Sequence, residues 1–179
     1  MKILKISLIS LGALIALIFI IPIFTQKIVD VERVITINKP KEQVFEYIKL
    51  LKNQTHYSTW AKKDPNTIMT YTGTDGTVGF VSKWASKNED VGAGEQEIKK
   101  VTDGQRIDYE LRFTEPFEST SSCYMSADAL TENSTKVKWG FHSVMPYPMN
   151  LMLLFVSGEE MCGKDFEEGL VNLKSNLEK

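Results

Sequence analysis

The sequence predicts an α+β domain: a curved antiparallel sheet of about seven strands wrapped around one long C-terminal helix, with an N-terminal transmembrane helix in front of it. Three observations predict this. Ser157 to Leu177 reads as one amphipathic helix, in which Cys162, Phe166, Gly169, Leu170, Leu173 and Leu177 recur at spacings of three and four and form one apolar stripe. From Val29 to Met145 the chain is nearly all strand signal, apart from a helical stretch after Pro40. Ile6 to Phe24 carries no charge and is dominated by Ile and Leu. An apolar stripe must be buried, and the strands are the only partner large enough to bury it.

The apolar run comes first. Its length is close to the roughly 20 residues a bilayer-spanning helix needs. A cleaved signal peptide is the weaker alternative, because the run is long and Pro22 to Gln26 offers no pair of small residues for a peptidase. No cysteine lies near it for lipid attachment. We therefore expect residues 1–27 to form a single-pass membrane anchor and residues 28–179 to form one domain. Lys2 and Lys5 favour an N-terminus on the cytoplasmic side, although Lys27, Arg33, Lys39 and Lys41 dilute the bias. The expected location is the plasma (inner) membrane, with the domain on the extracytoplasmic side.

The domain opens with a half-buried strand. Val29, Val31, Arg33, Ile35 and Ile37 share one face, and Asp30, Glu32, Val34 and Thr36 the other. Asn38 and Pro40 suit a helix start, and Val44, Phe45, Ile48 and Leu51 carry the helical period to about residue 51. A second short helix is expected over Asn53 to Trp60. Strands follow at Thr67–Thr72, Val78–Ser86, Gly92–Val101, Gln105–Phe113, Ser119–Leu130 and Thr135–Met145. Turn signals at Gly73 to Gly76, Asp103-Gly104 and Thr131 to Ser134 separate some of them. The clearest strand is Gln105–Phe113, where Ile107, Tyr109, Leu111 and Phe113 alternate with charged residues. Pro146-Tyr147-Pro148 breaks the sheet. Met149 to Phe155 reads as an apolar helical turn leading into the last helix, which starts at a capping box, Ser157 and Glu160.

Composition narrows the function. Lys+Arg 21 against Asp+Glu 23 gives a net charge of -2, which excludes the basic face of a nucleic-acid binder. Two cysteines, Cys123 and Cys162, make no disulfide framework. Both fall at interior positions, where they either pair or pack as small buried hydrophobes.

The order strand, two helices, meander, long helix resembles the START-like, or Bet v 1-like (SRPBCC), superfamily with its helix-grip fold. Within it, the sequence resembles the bacterial polyketide cyclase/dehydrase-type members. The resemblance runs from Val29 to Lys179. Residues 33–40, Val44 to Ile48, Trp60, Tyr71-Thr72-Gly73, Gly76 to Gly79, Lys83-Trp84, Gly92-Ala93-Gly94 and residues 166–174 carry it. It implies a deep apolar cavity between sheet and helix that holds a lipid or other hydrophobic small molecule. It brings no universal catalytic motif.

Strand phase places Phe80, Ser82, Trp84, Gln96, Tyr109, Phe113, Ser121, Cys123, Trp139, Phe141, Ser143 and Met145 inwards, among others. Met149, Met152, Phe155 and Phe166 would close the cavity from the helical side. Apolar walls with a few placed polar groups are what a small-molecule site requires. Trp84, Tyr109 and Trp139 are the leading ligand-contacting candidates, each an apolar face with one hydrogen-bonding group. Phe80, Phe113, Phe141, Met145 and Phe166 complete the set.

Catalysis has little support in the sequence. His142 has an outward phase, His56 sits near the expected cavity mouth, Glu95 and Glu97 lie on a solvated face, and Asp165, the only acid close to the inward stripe of the last helix, is given no role. No catalytic residue, metal ligand set or cofactor is assigned. The expected function is a membrane-anchored domain that binds a hydrophobic small molecule or lipid. A cyclase- or dehydratase-type enzyme and a protein-interaction module are the alternatives.

Overall fold

A computed structural model describes residues 2–179. Seven strands form one antiparallel sheet: β1 (Ile28–Ile37), β2 (Ile68–Thr72), β3 (Val81–Ala85), β4 (Ala93–Thr102), β5 (Arg106–Glu115), β6 (Ser119–Thr131) and β7 (Ser134–Val144). Their spatial order is β1-β7-β6-β5-β4-β3-β2. Strands β2 to β7 are a simple meander, and β1 closes against β7. Chain connectivity therefore carries β1 and β2 to opposite edges. The helices that bridge them must cross the inner face.

Those helices are α2 (Lys41–Lys49), α3 (Gln54–Tyr57) and α4 (Thr59–Lys63), with a 3-10 turn at Leu51–Asn53. The amphipathic α2 buries Val44, Phe45 and Ile48. The single helix expected over Asn53 to Trp60 is divided, because Ser58 adopts an extended conformation between α3 and α4. Asp75, in the turn between β2 and β3, accepts from the Leu51 amide at 2.8 Å and the Lys52 amide at 3.1 Å. That turn needs positive φ at Gly73 and Gly76, which glycine adopts without strain.

The alternation in the sequence sets the faces. In β1, Val29, Val31 and Ile37 are buried while Asp30, Glu32 and Thr36 are exposed. In β5, Ile107 and Tyr109 are buried. A register shift between Ile98 and Lys100 interrupts the β4–β5 ladder. Such bulges bend and twist the strand that carries them.

The C-terminal helix begins with the expected capping box. The Ser157 amide donates to Glu160 Oε2 at 2.9 Å, and the Glu160 amide donates back to Ser157 Oγ at 3.2 Å. Its first turn, Glu159–Gly163, is π-helical, and α5 proper spans Lys164–Leu177. The helix runs beside β1 in the same direction. Added Cβ atoms would meet Val29 at Gly158 and Arg33 at Gly163, so small residues allow the close approach. Further along, Lys174 Nζ donates to the Thr36 carbonyl at 2.7 Å, and the Asn38 amide donates to Glu178 Oε1 at 2.5 Å. On its other side, Asn172 and Asn176 donate to the carbonyls of Tyr57 and His56, both at 3.1 Å.

The apolar N-terminal run forms α1 (Lys2–Phe24), long and apolar enough to cross a membrane and almost wholly exposed. It is tied to the domain. Tyr147 donates its hydroxyl to the Phe19 carbonyl at 3.0 Å, and Asn150 Nδ2 donates to the carbonyls of Pro22 at 2.7 Å and Thr25 at 3.2 Å. The last carbonyls of a helix have no partner within it. A fully buried Asn150 supplies one from across the fold.

Met149 to Phe155 was expected to close the cavity from the helical side. It forms a 3-10 segment, Met149–Leu154, that buries Asn150 and Leu153 but leaves Met149, Met152, Leu154 and Phe155 exposed. The Asn150 hydrogen bonds fix its rotation, so those apolar side chains turn outwards. Cys123 and Cys162 are both buried and both free.

Candidate ligand-binding site

The inner face has a closed end and an open end. At the closed end, Trp139 stacks on Phe166, with centroids 4.6 Å apart and planes 12° apart. Tyr57 meets the same indole edge-on at 5.7 Å. Gly169 lets α5 approach, since a Cβ there would lie 2.8 Å from the Trp139 ring. The polar groups at this end are already paired. Trp139 Nε1 donates to Cys123 Sγ at 3.3 Å, Tyr57 donates to Met125 Sδ at 3.3 Å, and the Tyr109 hydroxyl reaches the Ile48 carbonyl at 3.5 Å. Phe80 is fully buried and stacked on Tyr71. Thus Phe80, Tyr109, Trp139 and Phe166 form a packed floor.

Moving along the strands towards α1, the face opens. One rung across the sheet is Val31, Phe141, Cys123, Tyr109 and Ile98. All of these are buried except Phe141, which is half-buried and meets Phe166 edge-on at 6.4 Å. The next rung, about 7 Å further, holds Val29, Ser143, Ser121, Leu111, Gln96 and Ser82. Ser121 and Ser143 share a hydrogen bond of 2.9 Å. Beyond it lie Phe113, Gly94 and Trp84. The Trp84 indole covers Gly94, meets Phe113 edge-on at 5.7 Å, and donates to the Val91 carbonyl at 3.2 Å. Trp84, Leu111, Phe113, Ser143 and Met145 are all half-buried. The Met145 amide donates to the Lys27 carbonyl at 2.7 Å, so this open end is the one from which α1 leaves.

Of the eight residues expected from sequence, the structure therefore brings Trp84, Phe113 and Met145 to the open end and Phe80, Tyr109, Trp139 and Phe166 to the floor, with half-buried Phe141 between the two. The row Ser82, Gln96, Ser121 and Ser143 lies outside the eight residues expected from sequence. Its signal was present: small polar residues at inward phase, sharing one rung.

Two open hollows are present, and neither is lined by a residue of α5, so neither is the deep cavity expected between sheet and helix. One, of about 570 Å³, lies between α1 and the 3-10 segment and is lined by Ile20, Ile21, Phe24, Leu153 and Leu154 with Thr25 and Gln26. The other, of about 310 Å³, lies across β2 to β5 beside Trp84, Lys83 and Glu95.

The titratable groups fall in two classes. Inward ones are held neutral: burial pushes the Cys123 thiol up to about 12 and the Cys162 thiol up to about 11, and it raises Tyr57 and Tyr109 as well. Several outward ones are paired. Glu95 and Glu97 bind Arg112 at 2.7 and 2.8 Å on the outer face. His142 Nδ1 lies 2.5 Å from Asp30, and Asp165 pairs with Lys63 at 2.9 Å. His56 is exposed, 3.4 Å from the Tyr47 hydroxyl. Among the described residues, no group of three or more His, Cys, Asp or Glu side chains could hold a metal ion.

No family model and no curated protein matches the sequence. Solved structures do match. The crystal structure of Ara h 8.0201 superposes with a TM-score of 0.58 at 12% identity, covering 84% of this chain and 97% of that one. A protein from Nitrosospira multiformis gives 0.57 at 17%, covering 83% and 95%. DynU16, from the dynemicin biosynthetic locus, gives 0.55 at 11%, covering 84% of this chain and 47% of its own. These likenesses, with the seven-strand sheet and long C-terminal helix, establish the Bet v 1/START-like helix-grip fold.

Proposed function

We propose that this protein is a membrane-anchored binding domain for a hydrophobic small molecule or lipid, held on the inner face of the sheet at the end next to α1. Residues 1–27 are the anchor and residues 28–179 the domain. The membrane is the plasma (inner) membrane, with Lys2 and Lys5 retained on the cytoplasmic side and the domain outside. Trp84, Phe113, Phe141 and Met145 are the apolar walls, Phe80, Tyr109, Trp139 and Phe166 the floor, and Ser82, Gln96, Ser121 and Ser143 the polar handles. The observation that carries this reading is the burial gradient: the inner face is packed shut at Trp139 and Phe166 and half-open at Trp84 and Phe113. An amphiphile with an apolar tail and a hydrogen-bonding head matches that sequence of surfaces.

Native mass spectrometry of the full chain, released gently from detergent, tests it. The expected result is an apolar adduct of defined mass, reduced in Gln96→Leu and in Phe113→Ala. A bare chain that stays bare through a panel of phospholipids, fatty acids and quinones overturns it. Reporter fusions at Lys179 that are active in the cytoplasm and silent outside would overturn the orientation alone.

A further inference from the structure

We propose a second membrane contact, in which the segment Pro146–Val156 lies in the bilayer surface beside α1 and inserts Met152, Leu154 and Phe155 among the lipid chains. The proposal rests on the reading of α1 as a spanning helix.

The depth follows from geometry. The helix is apolar from Ile3 to Phe24 apart from Lys5, Ser7 and Ser10 near its start, and at ~1.5 Å per residue its 22 residues reach ~33 Å, against a hydrocarbon core of ~30 Å. The apolar run stops at Phe24, before Thr25, Gln26 and Lys27, which places the membrane boundary there. The carbonyl that Tyr147 binds belongs to Phe19, five residues earlier, so roughly 7 Å inside that boundary. Asn150 binds at Pro22 and Thr25, at the boundary itself. A segment pinned at these two depths occupies the layer where interfacial elements lie, roughly 5–10 Å into the headgroup and acyl region. Tyrosine is a residue favoured at that level.

The chemistry agrees. No charged residue occurs from Ser143 to Gly158. Phe155 is 79% exposed, Leu154 54% and Met152 50%. Water is an unfavourable neighbour for so contiguous an apolar surface, and the acyl chains beside α1 are a favourable one. The hollow between α1 and Leu153–Leu154 is apolar along its helical wall and includes Leu154. Binding site and bilayer then adjoin: Met145, at the open end of the inner face, directly precedes this segment in the chain. A lipid-soluble ligand passes from membrane to site without crossing water.

The test uses the full chain in phosphatidylcholine–phosphatidylglycerol vesicles, with an environment-sensitive fluorophore on Phe155→Cys, Leu14→Cys or Asn133→Cys. Cys123 and Cys162 are buried and escape labelling in the folded protein. Lipids carry a spin-label quencher either near the carbonyl or deep in the chain. The expected result is that Phe155→Cys loses most of its emission to the shallow quencher, Leu14→Cys to the deep one, and Asn133→Cys to neither. If Leu14→Cys is quenched while Phe155→Cys behaves like Asn133→Cys, the inference is overturned and the anchor stands. If Leu14→Cys is unquenched, the anchor reading falls and takes the inference with it. A Phe155→Cys label shielded from both lipid quencher and aqueous iodide would place a second copy or another protein there, which equally overturns it.

Discussion

The Trp139 indole lies flat on the Phe166 ring, 4.6 Å between centroids, with Gly169 one helical turn further along α5 leaving room for it. This stack joins the sheet to the C-terminal helix and shuts one end of the inner face. Phe166→Ala removes it and leaves a cavity, at a cost of about 3–5 kcal/mol. Gly169→Ala pushes a methyl against the indole and costs about 1–3 kcal/mol. Denaturant unfolding followed by tryptophan fluorescence measures both. A neutral Gly169→Ala would mean that α5 is free to shift.

Phe113 sits at the open end, half-buried against Trp84. Phe113→Ala is expected to weaken binding of a fluorescent fatty acid about tenfold, or about 1.4 kcal/mol, while moving the unfolding midpoint far less than Phe166→Ala does. Equal effects on affinity and stability would make Phe113 a packing residue and no more.

Stability should fall at both extremes of pH. Lys83 and then Arg112 hold Glu95 below its ordinary 4.5, Arg112 holds Glu97 below 4.5, and the Ser86 hydroxyl holds Asp64 below 3.8. A lowered folded pKa contributes stability above the unfolded value and loses it as pH falls through the folded one. The acid loss therefore begins below about pH 4.5, and Arg112→Met should flatten it. The raised thiols work the other way: Cys123, at about 12, and Cys162, at about 11, favour folding at neutral pH and lose that contribution as pH climbs above 9.0. Urea midpoints measured across the range check both limbs. The same burial predicts that an aromatic disulfide reagent reacts with neither thiol until urea unfolds the chain.

Asn150 bridges from its buried position to the end of α1. Asn150→Leu strands those carbonyls, a loss of about 1–3 kcal/mol. It is felt locally, as faster tryptic cleavage after Lys27. Unchanged cleavage would mean that packing, not the amide, holds the junction.

Most of the fold was legible. Alternation in residues 105–113 and 29–37 set the inward faces correctly, and the Ser157–Glu160 pair marked the helix start. Depth was not legible. Tyr109 and Phe113 have the same phase on the same strand, yet one is buried and the other half-open. The difference depends on where α5 crosses, and its course rests on Gly158 and Gly163 against β1 and on Gly169 against Trp139; periodicity marks which face of a helix is buried, not how closely a missing side chain lets it approach. Met149 to Phe155 was misread for a related reason. Apolar residues in a short run look like core, and only long-range hydrogen bonds to α1 reveal which side of the segment turns out.

Thr25, Gln26 and Lys27 are all the chain there is between α1 and β1, a reach of about 10 Å even when fully stretched, and the Asn150 and Tyr147 contacts take up that slack. With α1 in a bilayer, the domain is bolted to its membrane with no hinge on which to swing. It cannot ferry cargo across a gap to a facing membrane or search a wide volume for a recipient. On the proposed function, whatever takes a molecule from it, or gives one to it, must travel in the same membrane or come to its surface.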